Sequence, residues 1–388
     1  MKNLQYDFII CGAGCAGLTL FYEILPYATA NSKKILIIEK KKKKENDRTW
    51  CFWDTSANVF ENIIAHKWEI LSFKSNSFSN TFSIAPYKYK MLYGIDFYNS
   101  ILKKIEESNN VDLIEEEVYD LSTKNDIALV HTKNLTYTAT YVFNSIVFDT
   151  EKLITPNSLL QHFKGIVIET KVPIFNPRQA TLMDFTLNQG IGTNFMYVMP
   201  ISTNIALVEY TLFTKKLLPQ NDYDNALEHY IRGNLKINDY KILHTEFGII
   251  PMTDYKFKSN FGNIINIGTA AGWVKPSSGY AFKNIQTQTK KIVALLMKGK
   301  KPIIRKTLKE RKFFLYDSIL LEVIAKNKMK GSDIFASIFK KNSPQMVLKF
   351  LDNETNLLED LKIMASVPMK IFLPIAFRQM VSCKWLLG

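Results

Sequence analysis

Glu209 lies in IALVEYTLF (205–213), a lone carboxylate in an otherwise apolar, β-branched and aromatic run. Strand alternation puts Ile205, Leu207, Glu209 and Thr211 on one face and Ala206, Val208 and Tyr210 on the other, so both faces are apolar around the acid. In an interior strand a bare charge there is costly, and the carboxyl must be paired or protonated. A protonated carboxylic acid in an apolar pocket can donate a proton to an otherwise unreactive group. At a sheet edge the same residue would simply reach water.

A second kind of chemistry is written in glycines. Gly12, Gly14 and Gly17 form GxGxxG between the apolar segment ending at Cys11 and the helical stretch LTLFYEIL. The first glycine permits the tight turn, the second lets backbone approach a pyrophosphate, and the third lets helix pack on strand. Glu39 ends the next apolar strand, KKILIIEK, 22 residues after Gly17, where an acidic side chain suits a ribose 2′-hydroxyl. The alternative is a structural turn, and the motif alone does not separate FAD from NAD. A second glycine-rich turn, GTAAGWVKPSSGYAF (268–282), with Gly268, Gly272, Pro276 and Gly279, follows about 250 residues later and leads into a helix. A first motif at the N-terminus and a second so far downstream point to FAD held by a domain split in sequence; the alternative for the second turn is a packed loop.

Between the motifs, NDRTWCFW (46–53) follows five consecutive lysines. The lysines read as a solvated loop and the aromatic box as its inward half, with Arg48 facing flavin or phosphate, Asp47 orienting Arg48, and Trp50, Phe52 and Trp53 walling a site. Plain core packing is the competing reading. The five histidines are scattered and read as structural, Asp254 as a turn cap or a pocket residue, and no Ser/His/Asp arrangement stands out. Four cysteines without a CxxC pair fit neither zinc nor a disulfide framework, so no metal is expected and the compartment reads as reducing.

The elements that must carry these residues follow from periodicity. Strand, glycine turn, helix and strand open a doubly wound α/β sheet. The stretch 92–110 reads as a helix on Phe97, Ile101 and Ile105, three alternating segments near 111–121, 126–132 and 135–144 as a small meander, and 195–213 as two β-rich arms about a Pro/Ser/Asn turn. Residues 301–388 are mostly helical by spacing. A length of 388 residues suits two or three interleaved units, and 47% hydrophobic with 22% charged residues excludes disorder. No signal peptide and no spanning helix are expected. A net charge of +14 with 13% aromatic residues suits nucleic acid or an anionic membrane surface, and no nucleic-acid module is visible. FLPIAFRQMVSCKWLLG (372–388) reads either as an interfacial helix or as one docked on the protein's own core.

In their order along the chain, NDRTWCFWD, FMYVMPISTNIALVEYTLF, GIIPMTD and GTAAGWVKPSSGYAF resemble the flavin-containing lycopene cyclases, over about residues 5–290. More distantly the chain is similar to flavoproteins of the glutathione-reductase type, including aromatic hydroxylases and geranylgeranyl reductases. The resemblance implies a lycopene β-cyclase that closes the ψ ends of lycopene to β-ionone rings, through γ-carotene to β-carotene, with no net redox change. It implies reduced FAD as a non-redox cofactor with NAD(P)H as reductant, and Glu209 as the acid. FAD contacts are expected from Gly12, Gly14, Gly17, Glu39, Arg48, Gly268, Gly272, Pro276 and Gly279. Trp50, Phe52, Trp53, Tyr210 and Tyr280 are expected to face the substrate. A cytoplasmic enzyme peripheral to the cytoplasmic membrane follows, in reach of other carotenoid-pathway enzymes.

The implied fold class is α/β with α+β elements. A Rossmann-like FAD domain is split over 1–70, 92–155 and 256–300, an antiparallel substrate sheet takes 71–91 and 156–255, and a helical region runs over 301–388. Two departures stand out: Thr269 follows Gly268 where many flavoproteins have Asp, and VFNSIVFDT (142–150) lacks the DG pair of hydroxylases. The runner-up is a flavin-dependent reductase of polyprenyl chains, and a binding module without turnover is the non-enzymatic alternative.

Overall fold

A computed structural model of the chain describes residues 5–382. Its first sheet has five parallel strands in the order β8 (Val111–Glu115), β2 (Ile35–Glu39), β1 (Gln5–Cys11), β11 (Thr136–Asn144) and β18 (Ile264–Asn266), edged by the short antiparallel β17 (Asn260–Phe261). The hairpin of β9 (Val118–Lys124) and β10 (Ile127–Thr132) adds to β11. The central strands carry continuous apolar runs, Phe8–Cys11 and Ile35–Ile38, because both faces are covered there. Phe8, Ile10, Ile35 and Ile37 pack under α1 (Cys15–Ala30) and α2 (Gly94–Glu106), and Ile9, Cys11, Leu36 and Ile38 pack under the hairpin.

The expected meander over 111–144 therefore divides. Residues 111–115 leave it to pair in parallel with β2, and only β9, β10 and β11 form the antiparallel unit. Alternation looks the same in both cases; the partner decides.

The second sheet runs β16 (Lys241–Met252), β12 (Leu159–Glu169), β15 (Ile205–Thr214), β14 (Thr193–Pro200), β13 (Gln179–Asp184), β5 (Ile70–Lys74) and β6 (Ser79–Ser83), antiparallel except between β13 and β5. The expected arms of 195–213 are β14 and β15, joined by residues 201–204. One face of this sheet packs on α3 (Gln220–Gly233) through Met196, Val198, Val208, Tyr210 and Leu212. The other packs on the C-terminal helices through Phe195, Tyr197, Met199, Leu207 and Phe213. A smaller sheet of β3 (Thr49–Asp54), β7 (Lys88–Tyr93) and β4 (His66–Trp68) stands between the two.

The helices after the second glycine turn are α4 (Phe282–Met297), α5 (Leu308–Ala325), α6 (Gly331–Lys341), α7 (Pro344–Leu351), α8 (Leu357–Ala365) and α9 (Met369–Ser382). Thr307 and Asn356 start α5 and α8 with full capping boxes. Ile375 of α9 is buried in the core, and Arg378 pairs with buried Glu322 of α5. The last helix thus docks on the protein itself, while Leu373 and Phe377 stay exposed. Cys383, Lys384 and Trp385 lie outside the described residues. No helix among the described residues is long and apolar enough to cross a membrane.

Candidate active site

The glycine turn at the end of β1 closes as its spacing demands. Gly12 has φ +97°, and a Cβ on Gly17 would lie 2.0 Å from the Gly12 carbonyl oxygen, so helix and strand meet only because residue 17 is bare. Gly14 differs: a Cβ there meets nothing within 4 Å, and the residue faces open space. It also starts α1 without any side-chain cap, leaving the helix N–H groups free for an anion. Glu39 accepts the Ala13 N–H at 2.5 Å, which holds its carboxylate against the turn.

Gly268 meets the same place from the other side. It has φ +57°, and its Cβ would lie 2.6 Å from the Ala16 Cβ. A cavity of about 320 Å³ is lined by Gly14, Gly268, Thr269 and Gly279 together with Arg48, Trp50, Glu209 and Tyr280. Two motifs 250 residues apart thus wall one space, because β1 and β18 flank β11 in the same parallel sheet.

These residues suit an extended dinucleotide. The cavity offers an uncapped helix start and a glycine that a side chain would obstruct. Gln161 Oε1 and Ser278 Oγ, both buried, have no hydrogen-bond partner and line it. Gly279 (φ +72°) stands where a Cβ would be 2.3 Å from Gln161 Oε1. Gln161 was not evident from sequence, since an amide in an alternating strand carries no signal of its own.

Glu209 projects into this cavity from β15 and is buried. Thr211 Oγ1 donates to its Oε1 at 2.7 Å. Burial, and then the charge of Glu246, push its carboxyl up to about 8. Glu246 of β16 is the residue sequence reasoning missed. It is also buried, accepts a hydrogen bond from Thr49 Oγ1 at 2.8 Å, and acts electrostatically on Glu209. Burial raises Glu246 too, while the Thr49 hydroxyl and the field of His244 pull it back. Its segment, HTEFGIIPM, shows alternation, but that pattern does not say which strand lies beside it.

Alternation along β3 sets Trp53 apart from Trp50 and Phe52, which share a face and both stack on Phe282. Trp50 faces the Glu209 cavity, stacking on Phe282 at 5.7 Å. Phe52 does not: it stacks on Phe282 at 4.8 Å within the core below the parallel sheet. Trp53 points to the opposite face, donates from Nε1 to the Leu348 carbonyl at 3.1 Å, and meets the Tyr280 ring edge-on. Tyr210 is also not brought to the site. Its side chain packs on α3 with Tyr223, on the far face of β15 from Glu209, as period-two alternation requires.

Gly272 and Pro276 likewise miss the Glu209 cavity. They line a neighbouring cavity of about 630 Å³, shared with Phe52 and Trp53, that meets the first along Cys51, Val274 and Tyr280–Phe282. The KPSSGY turn is held by α5: buried Lys275 pairs with Asp317 at 2.7 Å, and Ser277 Oγ donates to Asp317 Oδ1 at 2.6 Å. Arg48 is exposed at the rim with Asp47 3.5 Å from its Nε, and Asp47 also takes Lys43 at 3.2 Å and the Tyr98 hydroxyl at 2.8 Å. One lysine of the run therefore turns inward. His162 is buried between Tyr223 and Thr214, and burial lowers it to about 4, a structural neutral imidazole. Asp254 accepts from Asn157 at 2.9 Å and from Thr155, and caps that loop. No metal cluster occurs among the described residues.

In comparisons with known proteins, chloroplastic neoxanthin synthases of Solanum tuberosum and Solanum lycopersicum are each 22% identical. They cover 76% and 72% of this chain, and 61% and 58% of their own length. The chain thus spans about three fifths of the curated relatives it matches. Among solved structures, a geranylgeranyl bacteriochlorophyll reductase-like protein from Thermoplasma acidophilum aligns with TM-score 0.64 at 14% identity, covering 97% of this chain and 99% of that one. HpxO of Klebsiella pneumoniae, solved in complex with FAD, aligns at 0.59 and 12% identity, over 95% and 98%. A p-nitrophenol 4-monooxygenase from Pseudomonas putida aligns at 0.58 and 12%, over 96% and 97%. These likenesses show a shared fold. The model of the family described as lycopene cyclase protein matches residues 7–376, reaching through the helical region where no motif was visible, and the chain therefore belongs to the lycopene cyclase family.

Proposed function

We propose that this chain is a lycopene β-cyclase, an isomerase that closes the ψ ends of lycopene to β-ionone rings with Glu209 as the acid. The observation that carries the reading is the buried Glu209 carboxyl, held up to about 8 in the cavity that both glycine turns wall. At neutral pH such a group keeps its proton, which a hydrocarbon substrate without any polar handle requires.

Cyclisation needs a proton on a terminal carbon, attack by the neighbouring double bond, and loss of a proton from the ring cation. Glu209 supplies the first proton from an apolar wall. Trp50 and Tyr280 present ring faces and edges to the cavity, and a desolvated ring face stabilises a cation by about 2 kcal/mol. Burial pushes the Tyr89, Tyr197 and Tyr280 hydroxyls above their ordinary range, so these groups stay neutral beside the acid. Water would trap the cation as an alcohol, so the bound flavin and substrate must fill the cavity and displace it.

FAD would be held by the α1 start at Gly14, by Gly268, Thr269 and Gly279, and by Arg48 at the rim. When bound and reduced by NAD(P)H, it supplies negative charge beside the developing cation. The neighbouring cavity of about 630 Å³ is walled by Trp53, Trp273 and Phe313 on its apolar part and by charged residues such as Lys291, Arg305 and Glu310 elsewhere, so a polyene would run along the aromatic part.

Cytoplasmic placement at the membrane surface, near other carotenoid-pathway enzymes, belongs to the same proposal. Leu357, Leu358 and Leu361 of α8 and Leu373 and Phe377 of α9 expose apolar side chains on a protein of net charge +14, which suits an anionic bilayer surface.

Expression in a lycopene-accumulating bacterial host tests the reading. Cyclised pigment at unchanged mass is expected from the wild type and none from Glu209→Gln. A product gaining two hydrogens would instead indicate the polyprenyl reductase reading, which the fold shared with the reductase-like protein favours.

A further inference from the structure

Glu209 and Glu246 stand on strands that do not touch. Between β15 and β16 runs β12, and Gly165 of β12 is in register with both: opposite Glu209 on one side and opposite Glu246 on the other. Two strand spacings of roughly 4.8 Å each separate the glutamates' backbones. Any side chain at residue 165 would stand between the two carboxyls. A Cβ there would lie 3.1 Å from Glu246 Cγ, 3.3 Å from Glu246 Oε1 and 3.0 Å from Leu207 Cδ1. Its φ is outside the left-handed region, so the position needs glycine for space rather than for conformation.

We propose that Glu246 is a positioning residue for the acid: reaching across the gap at Gly165, its carboxylate keeps the proton on Glu209 between ring closures. This rests on the reading of Glu209 as the acid. Each closure breaks the Glu209 O–H bond, forms a C–H bond on the substrate, and later releases one proton from the ring carbon. The acid must therefore regain one proton per ring. With Glu246 ionised beside it, the doubly ionised pair is the unfavourable state, and the proton returns to Glu209. Burial raises Glu246 as well, but the Thr49 hydroxyl that donates to it and His244 beside it on β16 favour its anion, and no such cation stands among the groups acting on Glu209. Glu209 sits two strands further from the sheet edge.

The titratable groups facing the pair are few. Cys51 of β3, Tyr89 and Tyr93 of β7, Tyr197 of β14 and Tyr280 are all held above their ordinary values, first by burial. Asp47, Arg48 and Lys43 stand at the rim. None of the buried tyrosines or Cys51 changes charge near neutral pH, so the basic limb of the rate reports the carboxyl pair together with His244, whose field acts on Glu246. That limb belongs to the pair as a unit.

The test is the pH–rate profile of cyclisation on lycopene in liposomes, with FAD-loaded, reduced protein. Glu246→Gln removes the neighbouring charge, and the basic limb should move acidward by about one pH unit. Gly165→Ala should displace Glu246 and move the limb the same way, and the double variant should move it no further than Glu246→Gln alone. Glu246→Asp, still anionic, should restore most of the limb position. Flavin content and melting temperature identify variants that fail to fold, and the limb is then read from Gly165→Ala and Glu246→Asp. An unmoved limb in folded Glu246→Gln or folded Gly165→Ala, whatever its rate, overturns the proposal, and so does a limb moved as far in Glu246→Asp as in Glu246→Gln. Glu209→Gln separates the two readings: if it cyclises at the wild-type rate, the acid itself is misassigned. If it is dead while Glu246→Gln keeps its limb, only the role of Glu246 falls.

Discussion

Trp53 stands edge-on to Tyr280, ring centroids 4.7 Å apart with planes at 75°. The contact joins the DRTWCFW box and the KPSSGY turn. The indole N–H continues the link to α7 through the Leu348 carbonyl. Trp53 thus ties the small sheet, the second glycine turn and the helical region at one point.

Trp53→Ala should therefore act chiefly on stability, lowering it by about 3–5 kcal/mol through the cavity left behind. Urea unfolding followed by circular dichroism measures this. Trp53→Phe, which keeps a ring against Tyr280 but loses the indole hydrogen bond, should cost clearly less.

Glu209→Gln should lower cyclisation by about 100-fold or more, the ordinary contribution of a general acid, while flavin still binds. The same variant should gain stability in alkali. Glu209 is held at about 8, above its unfolded range near 4.5, so the folded state binds more protons between those values. The wild type's stability is then fullest below about 4.5 and declines as pH rises to 8. Melting curves of the two proteins should separate progressively over that window, with the Gln variant higher at its upper end.

The glycines of the first turn should behave unequally. Gly14→Val adds bulk into open space, so the flavin-free protein should melt within about 2 °C of wild type, since a surface change away from buried contacts is worth about 0.5 kcal/mol at most. Its flavin absorbance after reconstitution should nevertheless be lost. Gly17→Ala drives a methyl into the Gly12 carbonyl and should lower the melting temperature of the flavin-free protein itself. Equal melting temperatures for the two variants would contradict this division.

Leu358→Asp and Phe377→Asp alter side chains 73% and 69% exposed, so the fold should be indifferent to them. Flotation with liposomes rich in anionic lipid should fall for both, by several-fold for the pair combined. Unchanged flotation would remove these helices from any membrane-facing role.

Local features were legible to the extent that their causes are local. The turn at Gly12–Gly17, the helix over 94–106 and the pair of arms around residues 201–204 follow from neighbours in the chain, since a 3.6 or 2.0 period is set by each residue's own backbone geometry. The face of Glu209 was legible for the same reason. Tyr210 and Phe52 show how adjacency misleads: proximity in sequence suggested a shared site, while alternation sends Tyr210 to α3, and Phe52, on the same face as Trp50, lies further along β3 in the core under the parallel sheet.

What sequence by itself determined was the kind of parts: a dinucleotide turn, an apolar strand with one acid, an aromatic box and a helical end. The tertiary structure alone decided which parts meet. Gly14 and Gly268 share a cavity because β1 and β18 flank the same strand. Glu209 finds Glu246 because β12 runs between their strands and offers Gly165 at that level. Register between distant strands depends on side-chain packing across the whole sheet rather than on any local run of residues, and the pairing of Glu209 with Glu246 depends on that register.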